Sequence, residues 1–336
     1  MRTQSGATLI ELLISQGIAM VVVTALLAVS AIHVNLASVS SSRAQLSVDA
    51  MALNDYFSRQ LPSAGGEALP IWSAILVEDN NCPARGSLPA CNNSDRVTTI
   101  SAARIDGCSV ESSAPGLIRF DQTSGCCLDT IRLNLSHVVL VKVGSVGQRY
   151  VTSVNREFCS VSVVNGPAAF NDNVVEPYDW SRAILVPVTI RSYYLDRDTG
   201  ELIRYTYRSG GPDQNTGILS PLTDRILDFQ VALGFDFDPA DGAVRDTRDF
   251  TDEFLYNAID STNGGSLESF GQGQFLNTAL NSLRMVQLGL IVGLPTANPE
   301  ASAPMQILDG PLIAQPTWLL ESQLSNFMIR STRNYE

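Results

Sequence analysis

The hydrophobic period changes twice along the chain. From residue 7 to about Val34 nearly every position is apolar, and Thr8, Glu11, Ser15, Gln16, Thr24, Ser30 and His33 are the polar interruptions. Roughly 20 apolar residues in helical form cross a bilayer, so this stretch predicts a membrane-spanning helix. From 36 to 61 the pattern is amphipathic: Leu46, Ala50, Leu53, Phe57 and Leu61 recur at three- and four-residue spacing, while Arg43, Asp49, Asp55 and Arg59 fall elsewhere. The stripe reads as core packing on one continuous helix. Pro62 and Gly65-Gly66 stop it near Gln60.

Downstream the period becomes two. Leu227, Phe229, Val231, Leu233, Phe235 and Phe237 alternate with polar or small residues as far as Asp238, the pattern of a half-buried strand. Residues 184–194 and 202–207 flank the turn-rich Asp196-Arg197-Asp198-Thr199-Gly200-Glu201 and predict a hairpin. Further strands are expected at 138–143, 161–164, 285–292 and 327–332, and loops at 79–115, 165–180, 209–222, 239–282 and 295–310. Strands following one long helix imply an α+β fold with a mostly antiparallel sheet. The expected organisation is a leader over 1–6, a membrane and assembly helix over 7–35, its amphipathic continuation over 36–61, and a β-rich body over 62–336 with disulfide-containing loops in 82–159.

Charge separates these parts. The net charge of −12 comes from 22 Lys and Arg against 34 Asp and Glu, yet residues 1–60 hold three of each sign. The body is therefore acidic and the stalk near neutral. An acidic body is repelled by anionic headgroups and by nucleic-acid backbones, so the stalk is the expected membrane contact and nucleic acid is not an expected partner.

All six cysteines, Cys82, Cys91, Cys108, Cys126, Cys127 and Cys159, lie in the acidic half. An even number in a loop-rich stretch reads as disulfides formed in an oxidising compartment, with Cys82 and Cys91 the best local pair across Pro83, Gly86 and Pro89. No CxxC spacing is present and His33 and His137 are isolated, which argues against zinc. Asp236, Asp238 and Asp241 before Gly242 resemble a calcium loop, but the third acid falls one residue late and the bidentate Glu at loop position 12 is missing. A solvated strand end with an Asp-Gly turn explains them as well. No cofactor, metal ligand or catalytic residue is assigned, since no nucleophile elbow, Walker loop, H-E-x-x-H or dinucleotide fingerprint occurs in a usable context. His137 reads as a solvated or core residue rather than a base.

Glu11 is the anomaly. A carboxylate in hydrocarbon costs roughly 2.5–3.5 kcal/mol, so it needs a compensating partner or a proton. Cleavage after Gly6 would place a new amino group on Ala7, one helical turn from Glu11, and the same cation on a neighbouring chain could also reach it. An ordinary secretory signal cut after Ser30, before Ala31, and a plain single-pass anchor are the competing readings.

The octet Gly6-Ala7-Thr8-Leu9-Ile10-Glu11-Leu12-Leu13 resembles the type IV prepilin signal. The resemblance implies that a prepilin peptidase cuts after Gly6, that Ala7 becomes the N-methylated first residue, and that Glu11 pairs with the first-residue amine of an adjacent subunit during assembly. Ala7 stands where phenylalanine or methionine is commoner in that family. Residues 190–194, Thr199-Gly200-Glu201-Leu202-Ile203-Arg204, 226–231 with 235–238, 283–288 and 329–334 are similar to the minor pilin PilW family, a relative of the pseudopilin GspJ. The implied fold is pilin-like. The implied role is structural rather than enzymatic: initiation or tip assembly of a type IV pilus, with other minor pilins and the major pilin as partners. The chain would wait in the inner membrane with a periplasmic body and end on a cell-surface pilus. A tip adhesin that binds a ligand, and a pseudopilin of a type II secretion system, are the alternatives.

Overall fold

The computed structural model describes residues 9–66, 69, 74–78, 84, 88–91, 93–102, 108–122, 136–142, 145–165, 180–208, 216–235, 283–295, 303–308, 310–315 and 318–328. The fold is α+β: one long helix, α1 (Leu9–Gln60), precedes a β-rich body in which every described strand pairing is antiparallel. At 52 residues α1 is about 78 Å long. It ends where the sequence placed its stop. Gly65 and Gly66 follow Pro62 with φ of 81° and 58°, a conformation that costs glycine little, and the Gly65 amide donates to the Ile100 carbonyl.

Five strands form the sheet beneath the helix: β1 (Ile75–Glu78), β2 (Arg96–Ala102), β8 (Ile184–Asp196), β9 (Glu201–Tyr207) and β10 (Gly217–Thr223). A second, three-stranded sheet contains β11 (Ile226–Phe235), β12 (Leu283–Pro295) and β13 (Trp318–Met328). Leu46, Leu53 and Phe57 of α1 share one core with both sheets, including Tyr193 of β8, Tyr205 of β9, Phe229 of β11 and Val286 of β12. The Phe57 ring lies edge-on to Tyr193 at 5.1 Å and stacked on Phe229 at 6.2 Å. Polar groups tie the layers where they are buried: Ser94 Oγ donates to the Phe229 carbonyl, the Val231 amide to Asp95, and Arg197 to Asp228 at 3.1 Å. Arg96 and Glu78 form a buried ion pair at 2.5 Å, and Arg96 also donates to the Pro89 carbonyl.

The segment between β2 and β8 builds a second unit. Its strands are β3 (Cys108–Ala114), β4 (Leu117–Phe120), β5 (His137–Lys142), β6 (Ser145–Asn155) and β7 (Ser160–Asn165). They pair in the order β3-β4-β7-β6-β5, and both ends of the series pair with the start of β8: Cys108 with Leu185, and Val138 to Val141 with Pro187 to Ile184. The ring therefore closes into a six-stranded barrel. It has its own core of Val110, Ile118, Phe120, Leu140, Val151, Val161 and Trp180. Val138 and Leu140 point into this barrel, while Val139 and Val141, on the other face of β5, join the core of the main body. After Pro187, β8 passes from barrel to sheet and pairs with β2 from Val188 onward.

Several strand expectations need correction. The expected loop at 79–115 contains β2 and β3, and that at 209–222 contains most of β10. Strand β2 is buried along Arg96–Ile100, so it lacks a wet face and hence the alternation that marks a strand in sequence; its Thr98 hydroxyl is satisfied by the Ser192 hydroxyl at 2.7 Å. Strand β13 starts at Trp318 rather than near Phe327. The expected strand positions 236–238 and 329–332 lie outside the described residues.

Candidate functional site

The apolar part of α1 is bare. Large side chains from Leu9 to Leu36 are exposed around the helix, and an 18-residue window of mean hydropathy 2.4 contains no buried residue. By length and composition this helix can cross a membrane. Glu11 sits in its first turn, where the positive end of the helix dipole favours an acid. Gly6 and Ala7 lie outside the described residues.

The other half of α1 is held to the body on one side. Tyr56 and Tyr193 hydroxyls meet at 3.3 Å, Arg204 donates to Tyr56 at 3.4 Å, and Arg191 donates to Gln60 at 3.1 Å. Burial first, and then the Tyr56 hydroxyl, push the Tyr193 phenol far above its ordinary range, so it stays neutral. On one flank Asp49 reaches Arg225, between β10 and β11, at 3.7 Å. On the other flank Arg43, Ala44 and Ser47 face Leu320, Glu321 and Ser322 of β13 across a groove of about 690 Å3 that Ala303 and Met305 also line.

Away from the body, the first turns of this half expose Ser40, Ser41 and Gln45, but beyond them the surface is apolar as far as Ala52. Val48, Met51 and Ala52 recur at helical spacing on the outward side, with Val48 62% and Met51 63% exposed. An amphipathic helix facing water normally carries charge there. Here charge returns on that line only at Asp55, which pairs with Arg59 at 2.7 Å. Reading the sequence for its buried stripe missed this second one. The signal was present in the apolar residues left over at 48, 51 and 52.

Cys91, Cys108 and Cys159 are each disulfide-bonded, and no described cysteine is free. Cys82, Cys126 and Cys127 lie outside the described residues. Cys108 and Cys159 are not loop residues on the surface: Cys108 opens β3, Cys159 closes the β6–β7 turn with φ 48°, and both are buried in the barrel core. The calcium-like acids Asp236, Asp238 and Asp241 also lie outside the described residues. Among the described residues no cluster of three His, Cys, Asp or Glu side chains could hold a metal ion.

His137 is buried at the seam between barrel and sheet. Its ring lies 4.9 Å from Tyr150 of β6 and 5.8 Å from Tyr207 of β9. Burial pushes its pKa down to about 4, opposed in part by the Arg208 backbone, so it is neutral at pH 7. Buried between two tyrosines, it packs at this seam. No family model, no curated protein and no solved structure matches this chain.

Proposed function

We propose that the chain is a membrane-anchored assembly subunit of a helical filament, of the kind its amino terminus resembles: a type IV prepilin-like minor pilin of the PilW family. In this reading the peptidase cuts after Gly6, Ala7 is methylated, and Glu11 sets register by meeting the amine of a neighbour. The body stays on the periplasmic side until assembly carries it to the cell surface. Other minor pilins and the major pilin are its partners, and the buried disulfides suit that oxidising route.

One observation supports this reading above the others. The fully exposed stretch Leu9–Leu36 covers about 42 Å, against a hydrocarbon core about 30 Å thick, and Met51 stands a further 22 Å or so along the axis. Lipid cannot cover Val48 and Met51 while it covers the first turns. A packed bundle of like helices can cover both, so the outward stripe has a use in an assembly that it lacks in a lone anchor.

The test is amino-terminal sequencing and intermolecular cross-linking of the full chain in its membrane. The expected mature start is Ala7, and Val48→Cys chains are expected to cross-link through the stripe. A Glu11→Ala chain should be inserted and cleaved yet incorporate several-fold less. A mature start at Met1 or Ala31, or normal incorporation of Glu11→Ala, overturns the assignment.

A further inference from the structure

Two strand edges flank α1 on opposite sides. Among the described strands β10 pairs only with β9, and β13 only with β12. Strand β10 lies on the flank where Asp49 meets Arg225, and β13 lies across the groove from Arg43 and Ser47. Exposed edges are ordinarily blunted by charge, because their unpaired amides and carbonyls template pairing with another chain. Neither edge carries charge: Gly217–Thr223 and Ser322–Met328 contain no charged residue in a chain of net charge −12, and on β10 the proline and register shift that protect an edge are confined to Pro221–Thr223. Both instead expose apolar side chains, Ile218 and Leu219 at 57% each, Leu324 at 53% and Met328 at 58%.

We propose that the β10 edge of one copy of this chain pairs with the Ser322–Met328 edge of β13 in a second copy, joining their sheets side by side. The inference rests on the membrane-anchored reading, which makes neighbouring α1 helices point the same way. Contacts to α1 fix the strand directions. Tyr193 lies by Tyr56 and Arg191 by Gln60, so β8 runs against α1, β9 runs with it, and β10 runs back toward the membrane. Arg225 lies by Asp49 and Phe229 by Phe57, so β11 and, two strands on, β13 run away from the membrane. With parallel helices, β10 of one copy and β13 of the next are therefore antiparallel, the geometry of every described pairing within the body. Pro221 lacks an amide hydrogen, which limits the shared ladder to Gly217–Ser220. Because the two edges differ, the contact is head-to-tail, which builds a ring or an open helix rather than a two-fold dimer.

The experiment co-expresses full-length Leu219→Cys and Leu324→Cys chains in one membrane and oxidises mildly. The expected result is a disulfide-linked dimer at least several-fold more abundant than from either variant alone. Asn326→Cys in place of Leu324→Cys repeats the test further along the same edge. No dimer from either mixed pair, equal dimer from single variants, or an adduct of Leu219→Cys with a different protein overturns the proposal. Val48→Cys cross-linking in the same membrane separates the two failures. If it succeeds where the mixed pairs fail, only the edge contact is wrong; if it also fails, the assembly reading falls with it.

Discussion

The main body and the barrel share a strand but complete their cores by different means. The body has two open sheets that leave an apolar trough, and α1 fills it with Leu46, Leu53 and Phe57. The barrel closes on itself through β8, needs no helix, and fixes its interior with Trp180 and the disulfide-bonded Cys108 and Cys159. Charge follows the same division. Residues 103–183 hold seven basic and eight acidic side chains, whereas the rest of the body beyond residue 60 holds twelve against twenty-three. A unit that closes its own sheet is free of the helix, so only the main body couples the anchor to folded structure.

Removing the helix plug breaks that comparison most severely. Phe57→Ala should destabilise the main body by about 3–5 kcal/mol, the range for deleting a buried aromatic ring. Hydrogen exchange on the detergent-solubilised chain should show faster exchange in β9 and β11, while β4 and β7 keep their protection. Equal loss in both units would mean that they unfold together.

Acid tests the seam. The folded-state pKa of His137 is about 4 and its unfolded value is 6.5, so the unfolded chain takes up a proton first. The stabilising contribution is fully present above pH 6.5 and is lost as pH falls toward 4, to the extent of about 3 kcal/mol. His137→Phe should flatten this part of the pH profile of the urea midpoint. Tyr150 and Tyr207 line the site, with Arg208 beside it.

The smallest effect sharpens the independence of the barrel. A Cβ on Gly147 would lie 2.4 Å from the Trp180 ring, so Gly147→Ala forces the indole to move. Overpacking of this kind costs about 1–3 kcal/mol. It should appear in barrel amide exchange and leave the β11–β13 sheet unchanged.

The helix, its stop and the β8–β9 hairpin were legible because each is decided by neighbours in sequence: a 3.6-residue stripe, Pro62 with two glycines, and Gly200 in a turn with φ 69°. The barrel was not legible. Its closure depends on Val138 and Cys108 meeting opposite edges of one distant strand, and the neighbouring β2 carries Thr98 at a buried position that only its tertiary partner Ser192 makes comfortable. The candidate site divides in the same way. Glu11 and its apolar setting were readable from hydropathy, but the outward stripe needed the buried face to be known before Val48 and Met51 could be seen as surplus.

The thirteen residues of β8 lie in both units without a break in the strand. Tension applied to the barrel is consequently carried into the body through a covalent backbone rather than through a flexible hinge. On the body side it loads the ladders to β2 and β9 along their length, so many hydrogen bonds must shear together before the strand slips.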